Sequence, residues 1–219
     1  ANGATFRKDK KGIIPQIVEK MYETRVITKK QMLEVKQKIE NEGKSDSLIR
    51  EATILENKQM ATKILLNSLY GAMGNKYFRY FDLLVAEGVT TTGQKVIQHG
   101  EDAVNKYLQK VMADDKDRVI AMDTDSVYIT MDKLVKKVMP EETDKGKIID
   151  FLNKSEGMFE KVLAEGFDDL AEYTNAFQQK MEMGREVIAD RGIWTAKKRY
   201  ILQVHDSEGV RYAKPKLKI

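Results

Sequence analysis

The sequence predicts an α+β fold: antiparallel strands with flanking helices, and a protruding two-helix antiparallel hairpin. Three observations carry this. Residues 16–40 and 45–69 are two long stretches free of Pro, and only four residues separate them. Val119-Ile120-Ala121-Met122 and Val127-Tyr128-Ile129-Thr130 are apolar, partly β-branched runs that flank a short polar turn. The order is helical hairpin, helix, β-hairpin, helix, strands, which is not the alternation of a parallel βαβ sheet.

Taken in order, Thr5-Phe6-Arg7-Lys8 and Gly12-Ile13-Ile14 flank Asp9-Lys10-Lys11 and read as a short β-hairpin ending at Pro15. Pro15 suits a helix N-terminus, because its missing N–H would be unpaired there in any case. From Gln16 to Glu40, Ile17, Met21, Val35 and Ile39 fall at helical spacings beside the i,i+4 pair Glu34/Lys38. Gly43 offers a C′ residue, and Ser45 or Ser47 an N-cap for a second helix to Leu69. So short a turn forces the two helices antiparallel. Gly71, Gly74 and the aromatic Tyr77-Phe78-Arg79-Tyr80-Phe81 precede a third helix over residues 91–111, and residues 144–166 form another. From Lys180 onward, alternation at Met181, Met183, Ile193, Tyr200, Leu202 and Val204 suggests three or four strands. Turns are expected at Asp190-Arg191-Gly192 and Asp206-Ser207-Glu208-Gly209.

The 219 residues suffice for one domain or a little more, and 38 Lys+Arg against 34 Asp+Glu leave a net charge of +4. That charge is too small to imply a nucleic-acid partner unless the cations are clustered. The absence of Cys excludes disulfides, thiolate metal sites and Cys nucleophiles, and it fits a reducing compartment. No apolar run approaches the ~18 residues of a membrane span.

Several groups could carry chemistry. Lys63, Asn67 and Tyr70 step by four and three and share one helix stripe, apart from Ile54, Ala61, Leu65 and Ser68. A cation, an amide and an aromatic there could hold an anion, a polar backbone and a flat base; the bland reading is a solvated helix face. Arg25 and Lys29, one turn apart on the partner helix, could join Lys63 in a three-cation polyphosphate pocket, or could be ordinary surface charges. Asp123-Thr124-Asp125-Ser126 puts two carboxylates where two β-runs reverse, a hard-oxygen pair suited to Mg²⁺; Asp-rich turns also close inert hairpins. Glu186 could add a third carboxylate or pair with Arg185 or Arg191. Lys197-Lys198-Arg199-Tyr200, read as strand, puts cations on both faces, toward a polyanion or toward solvent. His99 and His205 stand apart and read as structural.

These signals share one known order. Lys63-Ile64-Leu65-Leu66-Asn67-Ser68-Leu69-Tyr70-Gly71 resembles the K-x₃-N-S-x-Y-G fingers motif of family B DNA polymerases. Asp123-Thr124-Asp125-Ser126 resembles their palm D-T-D-S motif, and Lys197-Lys198-Arg199-Tyr200 their K-K-x-Y motif. The likeness runs from Phe6 to Ile219, and its stretch from Thr195 to Ile219 is most similar to replicative polymerases of large tailed bacteriophages. It implies a palm hairpin over 1–15, a fingers hairpin over 16–70, palm over 71–205 and a palm-to-thumb connection over 206–219.

By the same resemblance, Arg25, Lys29 and Lys63 bind the triphosphate of a dNTP, Asn67 places its tail, and Tyr70 and Gly71 lie beneath the nascent base pair. Asp125 is the ligand shared by two Mg²⁺ ions, Asp123 a neighbouring carboxylate and Glu186 an outer one. Lys197, Lys198, Arg199 and Tyr200 contact primer-template DNA. The implied activity is nucleotidyl transfer from dNTP to a primer 3′-hydroxyl in viral DNA replication, in the cytoplasm of an infected bacterium. Other expected partners are an N-terminal remainder with exonuclease and upstream palm, and a C-terminal thumb. Two departures stand out. Met122 replaces the usual Gly before D-T-D-S, and the D-x-x-S-L-Y-P motif that supplies a second metal ligand and the ribose gate is absent. The isolated chain is therefore expected to be inactive, as a fragment or as one polypeptide of a split enzyme. A non-catalytic nucleic-acid-binding module and an RNA-directed or RNA-making polymerase are the competing readings.

Overall fold

The computed structural model describes residues 2–219. Its elements are α1 (Ile13–Glu42), α2 (Asp46–Met73), α3 (Leu83–Met112), β1 (Val119–Asp123), β2 (Ser126–Ile129), α4 (Asp132–Val138), α5 (Lys145–Tyr173), β3 (Val187–Ala196), β4 (Arg199–Ser207) and β5 (Val210–Lys218). The α+β class therefore holds. The strands form two sheets, β1-β2 and β3-β4-β5. The chain divides into one compact unit of residues 2–89 and 206–215 and another of residues 90–205 and 216–219.

In the first of these units, α1 and α2 form the expected helical hairpin. The Ser45 hydroxyl caps α2 by accepting from the Leu48 N–H at 3.3 Å. The shielded positions of α1 are Ile14, Val18, Met21, Arg25, Thr28, Met32, Val35 and Ile39, and those of α2 are Leu48, Ala52, Leu55, Gln59, Thr62, Leu66, Leu69 and Met73. Both series alternate steps of three and four, which is the heptad seam of an antiparallel coiled coil. The chain reverses at Gly43, and α1 and α2 pack against each other along these two series. The stripe Ile54-Ala61-Leu65-Ser68 lies outside this seam, and Ile17 is exposed. The turn Glu208-Gly209 joins β4 to β5 with both residues at positive φ, the I′ geometry of a two-residue hairpin. It is tied to α1 by Lys29–Glu208 and by the Arg211 N–H donating to Gln37 Oε1 at 2.9 Å.

The other unit is built on a core of Val96, Val104, Leu108, Leu134, Leu163, Phe167 and Leu170, against which Val119, Ile129 and Phe159 pack. Helices α3 and α5 approach closely, and a Cβ at Gly166 would stand 3.0 Å from the Ala103 Cβ. The β1-β2 pair is antiparallel with Ala121 opposite Tyr128, Met122 opposite Val127 and Asp123 opposite Ser126, and it shifts register between Val119 and Ala121.

Several local expectations are corrected. Residues 5–14 contain no strand; Gly12 caps α1 and Pro15 sits in its first turn. Strands of four and three residues without a third cannot hold a hairpin in water. Helix α3 begins eight residues before Thr91 because Asp82 caps it, its Oδ1 accepting from the Val85 N–H at 3.1 Å. No turn breaks β3 at residues 190–192, and Met181 and Met183 lie outside any strand. Helix α5 runs on to Tyr173, and the short α4 was not anticipated.

Candidate active site

The carboxylate turn rests on a specific support. Asn105 on α3 accepts with its side-chain oxygen from two successive N–H groups, Arg118 at 2.8 Å and Val119 at 3.2 Å, and so fixes where β1 begins. The Arg118 side chain, only 4% exposed, donates through Nη2 to both oxygens of Asp114 at 3.0 and 2.8 Å. At the far end of β1 the chain reverses with the Asp125 N–H donating to the Asp123 carbonyl at 2.6 Å. Thr124 takes φ 52°, an unusual setting for a β-branched residue. The Ser126 hydroxyl donates to the same carbonyl at 3.1 Å and the Thr124 hydroxyl to Asp123 Oδ1 at 3.0 Å. Asp123 is half-buried and Asp125 exposed. Met122, where the polymerase motif usually has Gly, points its side chain away from the Asp123 face and is 41% exposed.

Strand alternation places Ala121, Asp123, Ser126 and Tyr128 on one face of the hairpin. Tyr128 meets Trp194 and Tyr200 edge-on, with ring centroids 5.4 and 5.5 Å apart. Trp194 folds back along β3 over Gly192; a Cβ there would lie 2.7 Å from the indole and 2.8 Å from Leu202. Burial pushes the Tyr128 phenol up to about 12, and its neighbours Tyr200 and Glu186 act in the same direction. The structure thus brings the D-T-D-S hairpin, Tyr200 and Glu186 into one neighbourhood.

Not every expected residue joins it as expected. Glu186 precedes β3 and pairs with Lys218. Among the described residues, no three His, Asp or Glu side chains form a metal-holding group. The carboxylates at the turn itself are Asp123 and Asp125, and such a pair could hold Mg²⁺, an ion that takes one or two carboxylates and fills its remaining sites with phosphate and water oxygens. Lys197 and Lys198 are not strand residues. They form the two-residue turn between β3 and β4, Lys198 at φ 62°, while Arg199 and Tyr200 open β4. Both lysines are exposed at the hairpin tip instead of alternating across a sheet.

In the helical hairpin, Lys36 on α1 bridges to Glu56 on α2 at 3.3 Å. These residues flank the seam on one side, and Lys29 and Lys63 are the corresponding pair one heptad nearer the base. Arg25 occupies a shielded position of α1, half-buried, its Nε without a hydrogen-bond partner among the described residues. Lys29 is paired with Glu208, whereas Lys63, Asn67 and Tyr70 are exposed along the outside of α2. A Cβ at Gly71 would meet nothing within 4 Å, so no intramolecular contact requires glycine there. Sequence reasoning missed Tyr128, Trp194 and Gly192. Only the motif-flanking aromatics hinted at them, and their contacts depend on how two separate sheets meet.

Comparison with known proteins agrees with the motif order. Residues 2–145 match the model of DNA polymerase family B. The DNA-directed DNA polymerase of Escherichia phage RB69 is 44% identical over 172 residues, covering 74% of this chain and 19% of that protein. The Enterobacteria phage T4 enzyme is 40% identical over 189 residues, covering 80% and 21%. The DNA polymerase of Pyrococcus glycovorans is 29% identical over 205 residues, covering 93% and 21%. The chain thus spans about a fifth of the length of these relatives. With a family match over 144 of 219 residues and the same motifs set on a carboxylate hairpin and a helical arm, the chain belongs to DNA polymerase family B.

Proposed function

We propose that this chain supplies the fingers and part of the palm of a template-directed DNA polymerase, which transfers a nucleotidyl group from dNTP to a primer 3′-hydroxyl during viral DNA replication in an infected bacterium. The observation that carries this reading is the shared face of Asp123, Ser126 and Tyr128, with Tyr200 against it. Asp125, exposed at the tip of a pinned hairpin, would hold divalent metal with Asp123 as its neighbour and Glu186 further out. Two Mg²⁺ bound there would lower the charge on the attacking 3′-oxygen and on the leaving pyrophosphate.

The chain's own side chains do the rest by position and charge. Lys63, Lys29 and Arg25 bind the triphosphate and neutralise its β- and γ-phosphates as they depart. Lys29 reaches that role by exchanging Glu208 for phosphate. Asn67 orients the phosphate tail; Tyr70 and the bare backbone of Gly71 support the nascent pair. Lys197 and Lys198, at a turn tip, meet the DNA backbone, and Arg199 and Tyr200 grip the primer strand. The pair Asp123 and Asp125 leaves coordination positions for carboxylates elsewhere in the complete polymerase, so upstream palm, exonuclease and thumb are its intramolecular or complementing partners.

Primer extension by the complete polymerase tests this. Asp125→Ala should abolish extension while primer-template affinity is largely kept; equal extension by the variant would leave only a DNA-binding module. Lys63→Ala should raise the dNTP KM and slow extension on the order of 10²–10³-fold, because a phosphate contact that strengthens as charge develops is felt chiefly in the transition state.

A further inference from the structure

Asn105 belongs to none of the D-T-D-S, K-x₃-N-S-x-Y-G and K-K-x-Y motifs, yet the carboxylate hairpin is built out from it. It lies on α3 beside the core residues Val104 and Leu108 and is itself only 7% exposed. Its side-chain oxygen accepts from the Arg118 N–H at 2.8 Å and from the Val119 N–H at 3.2 Å. Successive N–H groups of a regular strand point to opposite sides, so aiming both at one oxygen takes the chain out of strand geometry where β1 begins. The ladder shifts register just beyond, between Val119 and Ala121. At the same place the Thr130 N–H donates to the Arg118 carbonyl at 2.9 Å, and Val119 and Ile129 pack on the core, which closes the base of the hairpin. Further out there is less to fix its direction. The β1-β2 sheet has no third strand among the described residues, Ile120 and Met122 are exposed, and Tyr128 supplies only edge-on ring contacts.

We propose that Asn105 is a positioning residue for nucleotidyl transfer: by holding two backbone N–H groups at the base of β1, it sets where the Asp123–Asp125 turn stands. The inference rests on the polymerase reading above, in which that turn carries the metal ions. Strand β1 is five residues long, so a displacement at its base is passed on to Asp123 at its end. Without the Asn105 oxygen, two N–H groups lose a buried acceptor, and the base must move until they find water or another partner. A misplacement of about 1 Å at a reacting group can cost on the order of 10²-fold in rate. The role asks for an acceptor oxygen at this reach. Aspartate keeps the oxygen, whereas leucine keeps the branched shape and loses it.

The experiment uses the complete polymerase carrying Asn105→Leu, Asn105→Asp or, as a core-cavity control on the same helix, Val104→Ala. Extension kcat, the KM for dNTP, melting temperature, the Kd for fluorescein-labelled primer-template DNA and the affinity for Mn²⁺ alone, read by electron paramagnetic resonance, are measured for each. Asn105→Leu should lower kcat on the order of 10–10²-fold and weaken Mn²⁺ binding, with dNTP KM and DNA Kd within about twofold, because the cations that meet those ligands do not stand on β1. Asn105→Asp should recover most of kcat and of Mn²⁺ affinity. Val104→Ala should lower the melting temperature and keep kcat within about twofold, since a cavity on α3 leaves the two N–H groups paired. An unchanged kcat in Asn105→Leu, no recovery in Asn105→Asp, or a Val104→Ala enzyme that loses kcat in step with its melting temperature would each overturn the proposal, the last by reducing Asn105 to a stability residue. Should Asn105→Leu not fold, Asn105→Ser, whose acceptor is too short to reach both N–H groups, replaces it under the same criteria. If the parent protein extends no primer, the polymerase reading fails separately. Mn²⁺ affinity then decides the inference: loss in Asn105→Leu with recovery in Asn105→Asp upholds it, and equal affinities overturn it.

Discussion

At the scale of single residues, the site combines groups whose identity is dictated from within with others that nothing inside the chain requires. Gly192 is of the first kind. Alanine there must displace the Trp194 ring or Leu202, so Gly192→Ala should lower the melting temperature and loosen the Tyr128 cluster. Gly71 is of the second kind. It lies in α2 with open space around its Cβ position, and Gly71→Ala should stabilise the helix by up to about 1 kcal/mol while impairing nucleotide addition. A polymerase that melts higher yet extends normally would show that the space is not used.

Tyr128 offers a pH test at the same scale. Its folded value, about 12, lies above the ordinary 10.0, so its contribution is present below pH 10 and is lost as pH rises through the folded value. Tyrosinate absorbance should contain a late-titrating step that Tyr128→Phe removes. Asp114 behaves oppositely. The Arg118 hydrogen bonds hold it below 3.8, so the stability it confers is present above that value and fades as pH falls through the lower folded one. Asp114→Asn should flatten the acid limb of the melting curve. The motif residues were legible in the sequence because their chemistry is local; Tyr128 was not, because its importance comes from the neighbours that folding assigns.

At the scale of elements, the helical hairpin is a coiled-coil seam weakened by polar residues at shielded positions, Arg25 and Thr28 on α1 and Gln59 and Thr62 on α2. Gln59 Oε1 and Arg25 Nε are both buried without hydrogen-bond partners among the described residues. An unsatisfied buried group costs about 1–3 kcal/mol, so Arg25→Met should raise the stability of the hairpin while increasing the dNTP KM. Met32→Ala, in an apolar layer, should instead cost about 2–5 kcal/mol. Guanidinium denaturation of both variants checks the two signs. The hairpin was legible because its period is long and its capping residues are strong. The 5–14 strand pair and the break at 190–192 were misread from turn-rich residues, Gly12 and Asp190-Arg191-Gly192, which here cap a helix and continue a strand.

At the scale of the whole molecule, two compact units carry separate halves of the proposed chemistry, cations on the helical hairpin in one and carboxylates with the primer-gripping strand in the other. On the proposed reading, Asp123 and Asp125 would hold two Mg²⁺ only weakly without further carboxylates, so the chain alone should not extend a primer, and adding the remainder of the polymerase as a separate polypeptide should restore extension. Robust extension by the purified chain would overturn that account. The sequence by itself determined the α+β class, the helical hairpin, the D-T-D-S turn and the family, because helix period, turn chemistry and short motifs are properties of neighbours along the chain. Only the tertiary structure decided that Lys197 and Lys198 sit at a turn, that Arg25 lies in a seam, that Glu186 pairs with Lys218, and that Tyr128 joins two sheets. Each of those depends on contacts between residues distant in sequence, which side-chain packing selects and local pattern does not encode.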